Sequence, residues 1–211
     1  MLPIDVSLAF FAASIVLALA PGPDNIFVLT QSALYGWRQG LCVTIGLCTG
    51  LLLHTALVAW GVAALILASP LLFTALKSIG ALYLLYLAWS AARAAPHSTA
   101  ANATTPALTL VQLYRRGIIM NMTNPKVSIF FLAFLPQFTR PGDGSLIKQI
   151  MWLGLLFILA TILIFGGISI LAGSLGARLQ QSARAQRLLN WAAAAIFAAL
   201  ALHLFLAQTG S

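Results

Sequence analysis

Two short polar segments interrupt long apolar runs and contain the residues best suited to chemistry. The first lies in the apolar run over residues 6–35 and reads Pro21, Gly22, Pro23, Asp24 and Asn25. The second lies in the run over residues 117–138 and reads Asn124, Pro125 and Lys126. A proline removes a backbone donor and clashes with the preceding turn. We therefore predict that both helices open here, leaving unpaired carbonyls before each break and unpaired N–H groups after it.

Each break carries one charge in a region that otherwise has none. Asp24 is the only acid, and Lys126 the only base, well inside an apolar run. A charged group in hydrocarbon costs at least about 2.5 kcal/mol, so each must be neutralised, paired or solvated by a cavity. We expect Asp24 to exchange a proton or bind a cationic group, with a fixed ion pair as the alternative. For Lys126 we expect a pore-facing role, with snorkelling to the interface as the alternative.

The neighbours of these charges indicate what they could bind. Asn121 lies about one turn before Lys126, and Asn124 lies beside it. The simplest partner for Lys126 is Asp24. Such a pair could bind the carboxylate and ammonium of a zwitterion, or form and separate as a carrier moves.

A third pattern lies in the second apolar run, over residues 41–68. Gly46, Gly50 and His54 are spaced by four, so on a helix they share one face. Small residues at this spacing let two membrane helices approach closely. His54 is a candidate site residue, with a hydrogen-bonded interior histidine as the alternative.

The composition places the elements that hold these residues in a membrane. The chain has 211 residues, of which 61% are hydrophobic and 7% charged, and its mean hydropathy is +1.00. Soluble domains carry about 25% charged residues. The net charge of +8 comes from basic residues scattered between apolar runs, which is typical of membrane loops rather than of nucleic-acid binding.

Six apolar runs are long enough, at about 20 residues, to cross a bilayer. They are 6–35, 41–68, 71–92, 117–138, 147–173 and 188–207. The first is too long for one straight span, so we expect it to bend or break. We predict a first three-helix repeat at 1–94, a polar cytoplasmic linker at 95–115 and a second repeat at 116–211. Lys and Arg favour the linker side, which predicts periplasmic N- and C-termini.

Three spans in each half would invert the second half relative to the first, as in many transporters. Pro23 and Pro125 lie 102 residues apart, as do Asp24 and Lys126, which indicates a weak internal repeat. We predict an all-α integral membrane protein of two inverted repeats. Its first and fourth helices would be broken and face each other.

Several common signatures are missing from the sequence. It contains no Walker A, HExxH or GxSxG motif, so we expect neither ATP-driven transport nor an enzyme. Two cysteines without a CxxC or Cys/His cluster predict no metal site, cofactor or disulfide framework. Ala18-Leu19-Ala20 has the form of a signal-peptide cleavage site. However, the first five residues lack a basic residue, so we expect this segment to stay in the mature protein.

The segments ALAPGPDNIFVL, GLCTGLLLHTALVAWGVAAL and RRGIIMNMTNPKVSIFFLAFLPQF resemble the LysE/RhtB family of amino-acid exporters. The resemblance covers nearly the whole chain. It implies a bacterial inner-membrane carrier that expels amino acids or their derivatives against proton entry. It also implies functional roles for three motifs of this chain: Pro21, Gly22 and Pro23; Asn124, Pro125 and Lys126; and Gly46, Gly50 and His54. Many members have Asn directly after PGP, so Asp24 departs from the pattern and bears on substrate charge or proton coupling.

Two other functions remain open at this point. One is efflux of another small organic cation or zwitterion, and the other is a membrane assembly subunit without transport activity. The expected partners are an amino-acid substrate, protons and the lipid bilayer. The glycine faces also permit a homodimer.

Overall fold

The computed structural model describes residues 2–20, 22–68, 70–93, 108–140, 142–172 and 183–206, and within them it contains helices and no strand. Pro21 and most of the predicted linker lie outside these ranges. The α-helices are α1 (Ile4–Leu19), α2 (Pro23–Tyr35), α3 (Trp37–Ala68), α4 (Pro70–Arg93), α5 (Leu110–Thr123), α6 (Pro125–Ile129), α7 (Leu146–Leu171) and α8 (Ala183–Leu206). A π-helical segment (Phe130–Phe134) and a 3-10 turn (Leu135–Phe138) follow α6 directly.

Both predicted breaks are present, and both change the direction of the chain. α1 and α2 are bent by 63°, and α5 is bent by 52° from the segment Pro125–Phe138. Pro23 and Pro125 begin the second half of each pair. Proline is favoured at the first position of a helix because its missing N–H would have no partner there. The same residues therefore end one half-helix and start the next.

The described helices divide into long spans and bent pairs. By length and composition, Trp37–Gly61 of α3, Thr74–Arg93 of α4 and all of α7 are able to cross a membrane alone. Each bent pair passes the same test when its two parts are taken together, which gives up to five spans. The apolar stretch of α8, Asn190–Leu202, is shorter than a full span. The predicted all-α membrane class is confirmed, although six full spans are not found within the described residues.

The surface of the protein is apolar and its interior holds polar groups. Trp60, Ile79 and Ile170 are each at least 60% exposed, whereas Asp24 is 3% and Lys126 9% exposed. A soluble protein keeps such large apolar side chains inside and its charges outside. This reversed distribution is that of a protein whose surroundings are lipid.

α5 begins at Leu110, seven residues before the predicted start of the fourth span at residue 117 and inside the predicted linker. The cause is a capping box that lies before the apolar run. The Thr109 hydroxyl accepts from the Gln112 backbone, and the Gln112 side chain accepts from the Thr109 backbone. This reciprocal pair satisfies two N–H groups that a helix start leaves open.

The helices of the two halves pack against each other crosswise. α3 packs against α5, while α7 packs against α1 and α2. The second helix of each half therefore contacts the broken helix of the other half. α3 also contacts α7, and α4 contacts α8. Two inverted repeats would produce these pairs, and the division into repeats at 1–94 and 116–211 stays a prediction.

A cluster of phenylalanines fills the space around the π-helical segment. Phe130 and Phe134 have ring centroids 4.8 Å apart, and Phe131 lies 5.1 Å from Phe157 of α7. Phe10 of α1 lies 5.8 Å from Phe130. Tilted and edge-on rings at such distances attract one another beyond the area they bury. The cluster therefore connects α1, α7 and the segment that follows the second break.

Candidate substrate site

The ammonium of Lys126 binds the carboxyl end of α1. Its Nζ donates to the carbonyl oxygens of Leu17, at 3.1 Å, and Ala20, at 3.0 Å. In an unbroken helix the amide of residue 21 would donate to Leu17, but Pro21 has no amide hydrogen. The carboxyl end of a helix also carries a partial negative charge. Lys126 therefore supplies both the donor and the positive charge that this helix end needs.

A second side chain completes the first break. The Asn25 amide donates to the Ala18 carbonyl oxygen at 2.7 Å. A free carbonyl at membrane depth is tolerated only where protein or water satisfies it. The break is thus held by a lysine from the other half of the chain and by an asparagine of its own half.

Asn124 connects the two breaks directly. Its Nδ2 donates to Oδ2 of Asp24 at 2.8 Å, and its Oδ1 accepts from the backbone N–H of Lys126 at 3.0 Å. The second contact caps the start of α6. Asp24 lies in the first turn of α2, where the helix dipole favours a negative charge. One asparagine therefore holds the carboxylate of one break while it caps the helix of the other.

The direct ion pair between Asp24 and Lys126 suggested by the sequence is not formed. Among the described residues, no lysine nitrogen lies within 4.0 Å of a carboxylate oxygen. The physical reason is competition for Lys126 from the free carbonyls of α1, which a sequence pattern does not display. The two charges still interact through space.

His54 contacts the second break at the Asn121 carbonyl oxygen, which also accepts from the backbone N–H of Asn124 at 3.1 Å. Its Nε2 lies 3.3 Å from the backbone oxygen of Asn121 and must donate, because a carbonyl oxygen only accepts. Asn121 is four residues before Pro125, which cannot donate to it. The His54 ring also lies 5.6 Å from the Phe131 ring. A buried, hydrogen-bonded histidine is the arrangement that the alternative reading of this residue predicted.

Gly46 and Gly50 explain how His54 comes close enough to α5. A Cβ on Gly46 would collide with the backbone oxygen of Tyr114, and one on Gly50 would lie 2.7 Å from the Asn121 side chain. Only residues without a side chain allow this approach of α3 to α5. These two glycines and His54 support the second break and do not line the cavity beside it.

A small cavity lies between the two breaks and α7. It has room for about one water molecule. Its lining includes Asp24, Asn121, Lys126 and Thr161, together with the apolar residues Leu17, Ala18, Val127, Phe157 and Phe165. Three of its residues carry a buried oxygen without a hydrogen-bond partner: Oδ1 of Asp24, Oδ1 of Asn121 and Oγ1 of Thr161. Buried polar atoms are rarely left unpaired, so each of these three oxygens can still accept a hydrogen bond.

The cavity joins three predicted residues to six that the sequence analysis missed, three of which lie on α7. Asp24, Asn121 and Lys126 were predicted and line it, whereas Pro21 lies outside the described residues. Phe157, Thr161 and Phe165 of α7 were missed. They are spaced by four and therefore share one helix face. A threonine between two phenylalanines is common in apolar helices, so the sequence offers little reason to choose Thr161. The one pattern that could have identified these residues is that they share a helix face.

These features define a multi-pass membrane protein of the transporter class. Two broken helices meet beside a small, mostly apolar cavity that one acid and one base line, and secondary transporters bind substrates where such broken helices meet. No group of three His, Cys, Asp or Glu side chains suited to a metal occurs in the part of the chain that the structure describes.

The chain belongs to the family of LysE type translocators, whose model matches residues 15–208. This is a family of translocators and not a class of enzymes. A homoserine/homoserine lactone efflux protein of Salmonella typhimurium is 35% identical over 172 residues, covering 80% of this chain and 81% of its own. A membrane protein of Vibrio cholerae is 35% identical over 173 residues, covering 82% and 83%. A leucine efflux protein of Salmonella typhimurium is 33% identical over 138 residues, covering 64% and 65%. No solved structure matches the chain.

Proposed function

We propose that this protein is a secondary active exporter of amino acids or their derivatives across the bacterial inner membrane, in exchange for protons. One observation carries the proposal. One cavity is lined by three residues that each carry an acceptor oxygen without a partner among the described residues, and also by Lys126. These are the two kinds of group that a zwitterion requires. The names of the relatives, which are efflux proteins for homoserine, homoserine lactone or leucine, support the same substrate class.

The ammonium of the substrate would bind at the unpaired oxygens. Oδ1 of Asp24 and Oδ1 of Asn121 can only accept, and the Thr161 hydroxyl can also accept. Hydrogen bonds to charged groups are stronger than bonds between neutral groups. An ammonium with three hydrogens therefore matches three acceptors that the folded protein leaves unsatisfied.

The carboxylate of the substrate would bind at Lys126. A lysine has three N–H donors, and two of them bind Leu17 and Ala20. The third has no acceptor among the described residues. Lys126 lines the cavity and can offer this hydrogen to a substrate without leaving the carboxyl end of α1.

The position of Asp24 supports the proposed exchange for protons. Its Oδ1 is buried and unpaired, and an intramembrane carboxylate in this state takes up either a cation or a proton. We propose that the substrate ammonium and a proton alternate at this oxygen, so that outward amino acid is exchanged for inward proton. The linker would lie in the cytoplasm and both termini in the periplasm.

Counterflow in proteoliposomes tests this function. Purified protein is reconstituted with an internal load of homoserine, leucine, lysine or glutamate, and exchange of the labelled amino acid is measured against protein-free vesicles. We expect exchange of at least one of the four amino acids. We also expect faster net transport when a pH gradient drives protons in the direction opposite to the substrate. If no amino acid exchanges in any vesicle, a non-transporting assembly subunit becomes the better description.

Replacing Thr161 by valine is expected to weaken substrate binding without weakening the fold. The hydroxyl has no partner among the described residues, so its loss leaves no new unpaired group there. A lost hydrogen bond of about 1 kcal/mol corresponds to a roughly fivefold higher half-saturating concentration in counterflow. The thermal midpoint should stay equal or rise slightly.

Thr44→Val is the matched control for this substitution. Thr44 is also a buried threonine, but its hydroxyl donates to the Gly40 carbonyl oxygen at 2.9 Å and lies away from the cavity. We expect its replacement to leave the half-saturating concentration unchanged. If Thr161→Val and the wild type have the same half-saturating concentration, Thr161 does not bind the substrate.

A further inference from the structure

The ammonium of Lys126 lies where broken membrane helices often hold a free cation. In secondary transporters, the carboxyl ends of half-helices coordinate coupling cations through their carbonyl oxygens. Here the carbonyls of Leu17 and Ala20 occupy such an end, and Nζ of Lys126 lies 3.1 and 3.0 Å from them. The cation at this helix end is therefore part of the protein.

The surroundings of Nζ are shaped to hold it there. Lys126 is 9% exposed, and no carboxylate lies within 4.0 Å of its nitrogen. Gly22 has no side chain, and a Cβ at that position would lie 3.3 Å from Nζ. The ammonium is thus held by carbonyl oxygens and by the helix dipole rather than by an ion pair.

We propose that Lys126 fills a monovalent-cation site at the carboxyl end of α1, and that removing its side chain opens this site to a small cation from solution. The carbonyls of Leu17 and Ala20 would then lose their donor. The unpaired Oδ1 of Asp24, which lines the same cavity, adds negative charge nearby. Ammonium, methylammonium and sodium share the chemistry that this arrangement recognises. In the wild type the Lys126 ammonium already occupies the site, so none of these cations is required.

Thermal unfolding of the purified full-length chain in detergent tests the proposal. Lys126→Ala is compared in chloride salts of sodium, ammonium, methylammonium and tetramethylammonium at equal ionic strength, the last being too large for the site. We expect at least one small cation to raise the midpoint of Lys126→Ala by about 3 °C or more over tetramethylammonium. The comparison of cations shows whether a metal ion or an ammonium fits best.

The wild type and Lys148→Ala serve as controls. Lys148 is an exposed lysine at the start of α7, so its loss opens no buried site. Neither protein should distinguish the small cations from tetramethylammonium. If Lys126→Ala also fails to distinguish them, or folds in none of the four salts, a diffusible cation cannot replace the ammonium and the proposal is overturned.

A second variant tests the position of the ammonium without removing it. Gly22→Ala would press on Nζ, because the added Cβ lies 3.3 Å from it. We expect this change to lower the thermal midpoint of the wild type but not that of Lys126→Ala, where the contact is gone. Equal effects in both backgrounds would contradict a site organised around Nζ. Neither measurement requires a substrate, so their outcomes are independent of the export proposal.

Discussion

Asp24→Asn is expected to slow export and counterflow roughly ten- to hundredfold while leaving the protein folded. A hydrogen bond to a charged group contributes about 1.5–3 kcal/mol, and each 1.4 kcal/mol corresponds to about a tenfold change. The fold should survive because the oxygen of the new amide can still accept from Asn124 Nδ2, which now binds Oδ2 at 2.8 Å. The measurement is counterflow of the best substrate in the panel, normalised to folded protein.

Two comparisons make this prediction specific. Asp143→Asn changes an exposed acid in the turn before α7 and should transport like the wild type. Net export driven by a pH gradient is measured in parallel with counterflow. Counterflow needs no net proton movement, so the two assays separate proton transfer from substrate binding. Loss of gradient-driven export alone would show that Asp24 carries the proton but does not bind the substrate ammonium. Wild-type rates in both assays would exclude it from both roles.

Gly46→Ala is expected to lower the thermal midpoint by about 6 °C or more. Overpacking a well-packed interior costs about 1–3 kcal/mol, and a clash with backbone lies at the upper end of that range. At 2–4 °C per kcal/mol for a chain of this size, about 3 kcal/mol gives the stated shift. The added Cβ would meet the Tyr114 oxygen and lie 3.1 Å from the Cα of Gly117, neither of which can turn away. α3 and α5 would have to separate.

Gly61→Ala provides the matched control on the same helix. A Cβ at Gly61 would meet no atom within 4 Å. Alanine also favours a helix over glycine by about 1 kcal/mol, so the midpoint should hold or rise. An equal fall in both variants would show that loss of glycine itself, rather than the approach of α3 to α5, causes the effect. Besides lowering the thermal midpoint, Gly46→Ala should reduce the rate of counterflow, because His54 would move away from Asn121.

The breaks could be predicted from the sequence because their cause is local. A proline blocks a hydrogen bond in any surroundings, so Pro23 and Pro125 were sufficient to locate the ends of the half-helices. The start of α5 was placed too late because apolarity, rather than the cap formed by Thr109 and Gln112, defined the span. Capping is also local, and reading it would have corrected this boundary.

The partners of the charged residues could not be predicted, because they depend on how the helices cross. The sequence shows that Lys126 needs compensation, but not that free carbonyls of α1 lie nearer to it than Asp24 does. Thr161 was missed for the same reason. Its hydroxyl differs from that of Thr44 only in lacking a partner and lining a cavity, and both properties arise from packing.

The small volume of the cavity would limit how tightly this protein binds an amino acid. Space for about one water cannot admit an amino acid, so the cavity must enlarge before one binds. When the competent form is a minor population, the apparent dissociation constant rises in inverse proportion to its fraction. Under the proposed function, such a carrier would transport more as its substrate accumulates.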